Sequence, residues 1–586
     1  MPVAATAYRS PGVYRSEHAF ATAQAPPTPP TAPMPDRPRR DPRSGEDWHR
    51  QLMSVLPGLL AAIFLAALDQ SVMSTSIKTI ADDLGGLSLQ AWPTTAFLIT
   101  STVSTPLYGK LSDMYGRRPL FAIAIGVFVL GSLCCASAQS IYQLAAFRGL
   151  QGLGGGGLLS IASAITADLV PPRERSRYQG YTMSCWIAAS LLGPIIGGLF
   201  ASAHSVLGVA GWRWVFLVNA PVGGTALIVV SRVLRPTGQR RARRIDHWGA
   251  TAISVAAVPL LLVAEQGNRS GWTSPTALAC YTVGALGVVA FLLAERRMGD
   301  DALIPLRLFR VATFSLAITI SALVGLGMFG VISTVPLYLQ VVHGLTPTAA
   351  GLMMLPMMAG TLASVILSGK LIKRGGGLRI LPATGSTIIA LAMFCCCLVT
   401  VDTPLWALGL IMVAFGIGIG SCRTVNVTAQ NAVPPRDVGV ATASVVFFRE
   451  MAGAIGVAGY LSVLFGALPA RLATAVGDAA SRPEVSAALA DRAVAGNPAN
   501  APFFAVLRGG REALADWSFL PAMDPRLARA FQLGFDSAIG RVFLVGGLVM
   551  CVAALLALCM KPPELRTVGA AQAEEYFGRH RAPESA

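Results

Sequence analysis

Residues 109–120 read GKLSDMYGRRPL. The stretch joins two apolar runs, about 92–112 and 119–138, each close to the roughly 20 residues that cross a bilayer as a helix. Gly109 allows a neighbouring helix to come close. Asp113 and Gly116 suit a tight turn and the N-terminus of the helix that follows. Arg117 and Arg118 read as anchors on the cytoplasmic side. The first three residues return 260 positions on as Gly369-Lys370-Leu371, again closing an apolar run. Pro171-Pro172-Arg173 returns 263 positions on as Pro434-Pro435-Arg436. Two matches at nearly one spacing, in equivalent places, point to duplication of a six-span unit.

The composition is that of a membrane protein. The 586 residues are 53% hydrophobic and only 13% charged, with mean hydropathy +0.58, against about 25% charged in soluble domains. Fourteen runs have spanning length: 54–77, 92–112, 119–138, 142–168, 179–201, 212–232, 248–266, 276–295, 313–340, 348–372, 378–400, 405–430, 440–466 and 539–560. One alternating set of gaps holds Arg117 and Arg118; Arg173, Arg175 and Arg177; six arginines from Arg232 to Arg244; Arg296, Arg297, Arg307 and Arg310; and Lys373 and Arg374. The short gaps of the other set hold little beyond Lys78 and Arg269. The positive-inside rule makes the first set cytoplasmic. An even span count then puts both termini in the cytoplasm, with the chain in the cytoplasmic (inner) membrane. The net charge of +16 becomes a topology signal, and nucleic acid is excluded as a partner.

The expected organisation follows. Residues 1–50 form a Pro-rich, disordered cytoplasmic tail without the apolar core of a signal peptide. Residues 51–235 form a six-helix bundle, 236–300 a two-helix insert, and 301–466 the first five helices of a second bundle. Residues 467–538 make an extracytoplasmic loop. It ends in a short interfacial helix, since Leu527, Phe531 and Phe535 fall at i, i+4 and i+8. The last helix is 539–561, and 562–586 is a cytoplasmic tail. The ten cysteines lie in apolar runs as small packing residues. No metal-ligand spacing occurs, so no metal site is expected. Two related six-helix bundles with a site between them near the midplane is the plan of many secondary transporters.

Several polar residues interrupt the spans. FLAALDQSVMSTSI, 64–77, places Asp69 about 22 Å into the first span. An ionised carboxylate there costs roughly 2.5–3.5 kcal/mol even on a lenient scale. Met73 and Ser76 share its helix face, which suits a bundle interior. Low-dielectric burial disfavours the charged form of a carboxylate, so Asp69 reads either as a proton carrier or as a permanent partner of a buried cation such as Arg148. AFRGLQGLGGGGLLS, 146–160, sets Arg148 and Gln151 in the fourth span. Its glycines are not followed by GK[ST], so no ATP site is indicated. In LLGPIIGGLF, 191–200, Pro194 removes a helix hydrogen bond, and Gly193 and Gly197 form a GxxxG face. Arg423 and Asn426 lie in the twelfth span and Glu450 follows Arg449 in the thirteenth. Glu450 suits a second proton or cation site, or a local pair with Arg423 or Arg449. Arg423 also suits an anionic cargo.

These stretches resemble the major facilitator superfamily. G-x-L-x-D-x-x-G-R-R after the second span is similar to its best-known signature. The resemblance gives Gly109, Asp113, Gly116, Arg117 and Arg118 a role in bridging the bundles and switching between outward-open and inward-open states. Arg148, Gln151, Gly152 and Gly154 resemble a fourth-span motif linked to proton transfer. Gly193, Pro194, Gly197 and Gly198 resemble the fifth-span motif that marks antiporters. LDQSV around Asp69 and GWRWVFLVNAPVGG, 211–224, resemble the fourteen-span drug:proton antiporters. Ser71 stands where that family usually has Thr, and MSTSIKTI replaces its usual V-N-V-A-L-P, a departure that bears on cargo more than on coupling. The implied protein is all-α, with the major facilitator fold of two six-helix bundles and two extra central helices. It is implied to be a proton-coupled antiporter exporting amphipathic or cationic drugs, with Asp69 and Arg148 coupling protons. Alternatives are an exporter of one endogenous metabolite, an uptake permease, and a membrane sensor. No cofactor beyond the proton gradient is expected, and no enzyme activity. The expected partners are small molecules, protons, the bilayer and a periplasmic adaptor protein.

Overall fold

Long apolar runs leave the backbone no partner but itself, so they become helices. The computed structural model describes residues 42–84, 89, 92–170, 175–203, 205–233, 246–374, 377–508 and 519–561. The expected tails lie largely outside these residues. The first helix, α1, already begins at Pro42 and runs to Asp83, so the stretch 42–50 is helical rather than irregular.

In the first half follow α2 (Trp92–Tyr115), α3 (Arg117–Ala136), α4 (Ile141–Leu169) and α5 (Arg175–Ser202). A two-stranded hairpin, β1 (Ser205–Val206) and β2 (Val209–Ala210), precedes α6 (Trp214–Leu217) and α7 (Asn219–Val233). The insert is α8 (His247–Ser270) and α9 (Pro275–Met298). The second half holds α10 (Ala312–Val341), α11 (Pro347–Leu352), α12 (Leu355–Lys373), α13 (Ile380–Cys396), α14 (Leu405–Cys422), α15 (Thr424–Ala432) and α16 (Val438–Ala480). The short helices α17 (Pro483–Ala490), α18 (Arg492–Ala495) and α19 (Ala501–Leu507) lead to α20 (Pro525–Cys559).

Twelve helices among the described residues are long and apolar enough to cross a membrane. The other two expected spans fall short. α2 carries eight serines and threonines, and α13 has only 17 residues. Four of the α2 hydroxyls, on Thr100, Ser104, Thr105 and Ser112, donate to carbonyls of their own helix, as where Thr105 Oγ1 donates to the Ser101 carbonyl at 2.8 Å.

The two halves repeat one packing scheme. α2 lies along α4, and α3 along α4 and α7; in the second half α12 lies along α14, and α13 along α14 and α20. The halves meet where α2 packs on α16 and α5 on α12. The insert's α8 lies against both α2 and α16, while α9 leaves Leu286, Val289 and Leu293 exposed.

The expected interfacial helix is corrected. α16 continues to Ala480, and Leu527, Phe531 and Phe535 belong to the 35-residue α20. All three are buried, in one core with Phe503 and Leu472. The stripe has the periodicity of a membrane-surface helix, but here protein rather than lipid headgroups covers it.

Between α9 and α10 the chain forms a strap, residues 299–311. Leu303 and Ile304 are buried among Ile99, Val103, Ile253 and Phe447. Two carboxylates grip its main chain: Leu303 N donates to Asp246 Oδ2 at 3.2 Å, and Ile304 N to Glu295 Oε1 at 3.1 Å. Asp246 also caps α8, accepting from Gly249 N at 2.6 Å. Arg307 on the strap pairs with Asp437 at 2.9 Å, just before α16.

Candidate functional site

Asp69 faces the interior of the first bundle and is 1% exposed, as is Arg148. Arg148 Nη1 donates to Asp69 Oδ2 at 2.6 Å and to Gln151 Oε1 at 2.7 Å. Asp69 Oδ1 accepts from Gln151 Nε2 and from Asn219 Nδ2, both at 2.8 Å. Ser132 Oγ accepts from Gln151 Nε2 at 2.7 Å and donates to the Phe128 carbonyl at 3.0 Å. The carboxylate is thus held from α4 and α7, with α3 closing the network. Small residues permit this convergence: a Cβ on Gly131 would stand 2.6 Å from Gln151 Cα. The Arg148 guanidinium lies over the Phe97 ring, 4.4 Å from its centroid, while its Nε is buried without a hydrogen-bond partner. A buried ion pair persists when its remaining groups are met, and here both Asp69 oxygens are, while Arg148 keeps one unpartnered donor, Nε. Of the two readings of Asp69, this conformation displays the paired one.

The GKLSDMYGRRPL stretch sits at the junction of the halves. Asp113 lies inside α2 rather than at the head of α3, whose N-cap is Gly116 without a side-chain cap. Its Oδ2 accepts from Val440 N at 3.0 Å, in the first turn of α16. That donor is one that a helix leaves unsatisfied, at its electropositive end. Arg117 is not a surface anchor. It is buried, pairing with Asp113 at 2.5 Å and with Asp168 of α4 at 2.8 Å. Arg118 donates to the Ser231 carbonyl. Gly116 has φ +94°, a conformation other residues rarely adopt. Gly109 faces Ala443 across the junction, and a Cβ on Gly439 would stand 2.6 Å from Arg117 Nη1.

In α5, Gly193 is packed on Ser71 and Gly197 on Val72, Thr75 and Ser76 of α1. Ser76 Oγ donates to the Gly197 carbonyl at 3.2 Å. Pro194 and Gly198 are on the exposed face, and nothing lies within 4 Å of a Cβ on Gly198. α5 remains one helix through Pro194.

The second half holds a different group. Arg449 Nη2 donates to Glu450 Oε1 at 3.2 Å, with side chains 21% and 24% exposed. Arg423 sits at the break between α14 and α15, in electrostatic reach of Arg449 and Glu450, but its side chain makes no hydrogen bond to a described residue. Of the two pairings considered for Glu450, the structure has the one with Arg449. Asn426 is half-buried one turn beyond Arg423.

A family model described as Major Facilitator Superfamily matches residues 59–457. The chain belongs to the major facilitator superfamily. It is accordingly a multi-pass membrane transporter of small molecules rather than an enzyme. This transporter is 32% identical over 417 residues to the multidrug transporter protein MdtP of Bacillus subtilis, covering 71% of this chain and 75% of that one. It is 31% identical to multidrug resistance protein 3 of Bacillus subtilis, covering 69% and 78%. It is 30% identical to the efflux pump FUS6 of Gibberella moniliformis, covering 75% and 78%. Its fold is similar to that of the proton:xylose symporter XylE, with TM-score 0.55 and 15% identity over 90% of this chain and 99% of that one.

Sequence reasoning missed Ser132, Asn219 and Asp168, and the Val440 and Gly439 side of the junction. Asn219 and Ser132 each interrupt an apolar run, in VFLVNAPV and VLGSLCC. That interruption is the signal by which Asp69 itself stands out.

Proposed function

We propose that the protein is a proton-coupled antiporter. It exports amphipathic small molecules, drugs and toxic compounds among them, across the cytoplasmic membrane by alternating access, with both termini in the cytoplasm. The observation that carries this reading is the Asp69 network. A single acid deep in the first bundle is held by Arg148, Gln151 and Asn219, with no lipid contact. In the cycle, a proton from outside takes Arg148's place on Asp69. Freed Arg148 moves away, cargo leaves, and the inward-open state returns the proton to the cytoplasm. Each ligand shifts the conformational equilibrium only through its differential affinity for the two states. The Asp113–Val440 contact favours the state in which α2 and α16 are closed at their arginine-rich ends. Multidrug and efflux names among the relatives support export over uptake.

The test is reconstitution in vesicles with an imposed pH gradient and a panel of amphiphilic dyes. Dye movement should follow the gradient; movement indifferent to it removes the antiport claim. Asp69→Asn should abolish gradient-driven movement and retain dye binding. Full transport in that variant would assign the proton elsewhere.

A further inference from the structure

We propose that the second bundle binds an acidic group of the cargo, through Arg423, Asn426 and Arg449. The inference rests on the transport reading above and narrows its cargo to amphiphiles that carry a carboxylate or comparable anion, zwitterions included.

Depth is the first argument. Arg449 is eleven residues into α16, about 16 Å from Val438 at 1.5 Å per residue. Arg423 is nine residues before the end of α15, about 14 Å from Ala432. Ala432 and Val438 flank one short connection, so both guanidiniums lie near the middle of a hydrocarbon core about 30 Å thick. Charge is the second. Among the described residues Glu450 is the acid in reach of these arginines, and it is engaged by Arg449. Two cations and one anion leave a net positive charge at a depth where an unpaired charge is expensive.

Hydrogen bonding is the third argument. The Nε atoms of Arg423 and Arg449 are buried and unpartnered. The terminal nitrogens of Arg423 and the Asn426 amide also make no hydrogen bond to a described residue, yet they are not among the sealed, unpartnered atoms. They remain open to approach. Asn426 follows Arg423 by three positions, so both side chains lie on one face. A carboxylate that meets a guanidinium fork and an amide there gains charge-assisted bonds. It also neutralises the surplus charge. Arg148, a guanidinium in the first bundle, offers no such opportunity, because Asp69 already occupies it.

The experiment uses the full-length protein in lipid nanodiscs. A rhodamine dye bearing a free carboxylate is compared with its methyl ester, which has no anionic group, by fluorescence anisotropy. The acid should bind about tenfold more tightly than the ester. Arg423→Gln should remove that preference, Arg423→Lys should keep part of it, and Glu450→Gln should enlarge it. Equal affinity for acid and ester in the unaltered protein overturns the proposal. So does an unchanged preference in Arg423→Gln, or, if that variant does not fold, a preference not enlarged in Glu450→Gln. Acid preference without gradient-driven transport leaves this site standing and sinks the antiport reading. Gradient-driven export without acid preference does the reverse.

Discussion

The two bundles share a packing scheme and differ in what they do with buried charge. In the first, one carboxylate and one guanidinium sit 2.6 Å apart, with amides from two helices completing the shell. In the second, Arg449 pairs with a partly exposed carboxylate, Glu450, and the nearby Arg423 guanidinium has no hydrogen bond to a described residue. The scaffold repeats between the halves, with apolar faces fixing helix positions. Polar content diverged, because a handful of substitutions changes a site without moving a helix. On the proposed function, the difference separates two roles: a closed, paired network for an exchangeable proton, and an open, positive one for a molecule that comes and goes.

The largest break in the comparison should come from Arg148→Met. It strands Asp69 without a cation and should cost about 3–5 kcal/mol of stability, read by thermal unfolding of the purified protein. The double variant with Asp69→Asn should recover much of the loss. Arg423→Met removes a charge without a hydrogen-bonded partner and should cost far less; equal losses would erase the contrast. Asn219→Ala comes next. It deletes one donor to Asp69 and should cost about 1–3 kcal/mol, against a negligible effect for Asn426→Ala in the absence of cargo. Asp113→Asn weakens the cap on α16 by about 0.5–2 kcal/mol. In a cysteine-free background, Ala443→Cys should then react faster with a thiol reagent applied from the arginine-rich face. The smallest effect sharpens the α1–α5 contact. Gly198→Ala should change the unfolding temperature little, within about 0.5 kcal/mol, whereas Gly193→Ala must displace Ser71 and should cost about 1–3 kcal/mol.

The helical membrane architecture was legible because bilayer length and apolarity are local properties that a window of sequence contains. Asp69 and Arg148 stood out for the converse reason, as charges where charge is expensive. Asn219 and Ser132 were less visible, since neutral polar residues occur in spans for many reasons and only the fold brings them to Asp69. Asp113 shows the limit most clearly. Its spacing suited a local turn, yet its carboxylate bonds Val440, 327 positions away. The Leu527–Phe531–Phe535 stripe shows another: periodicity reveals that a face is covered, not what covers it.

The strap between α9 and α10 has a consequence for how an extra helix pair can be carried at all. A pair spliced into the middle of a duplicated chain must deliver the second half at the right height and angle. Here that alignment is held by acids on the insert that grip main-chain amides, and by Arg307 tied to Asp437. A grip on the backbone is indifferent to most side-chain changes, so the splice tolerates sequence drift while keeping its register. Because Leu303 and Ile304 are wedged beside both α2 and α16, the helix pair is anchored at the junction of the halves, and under the proposed alternating-access cycle its own mutations should change how readily that junction opens.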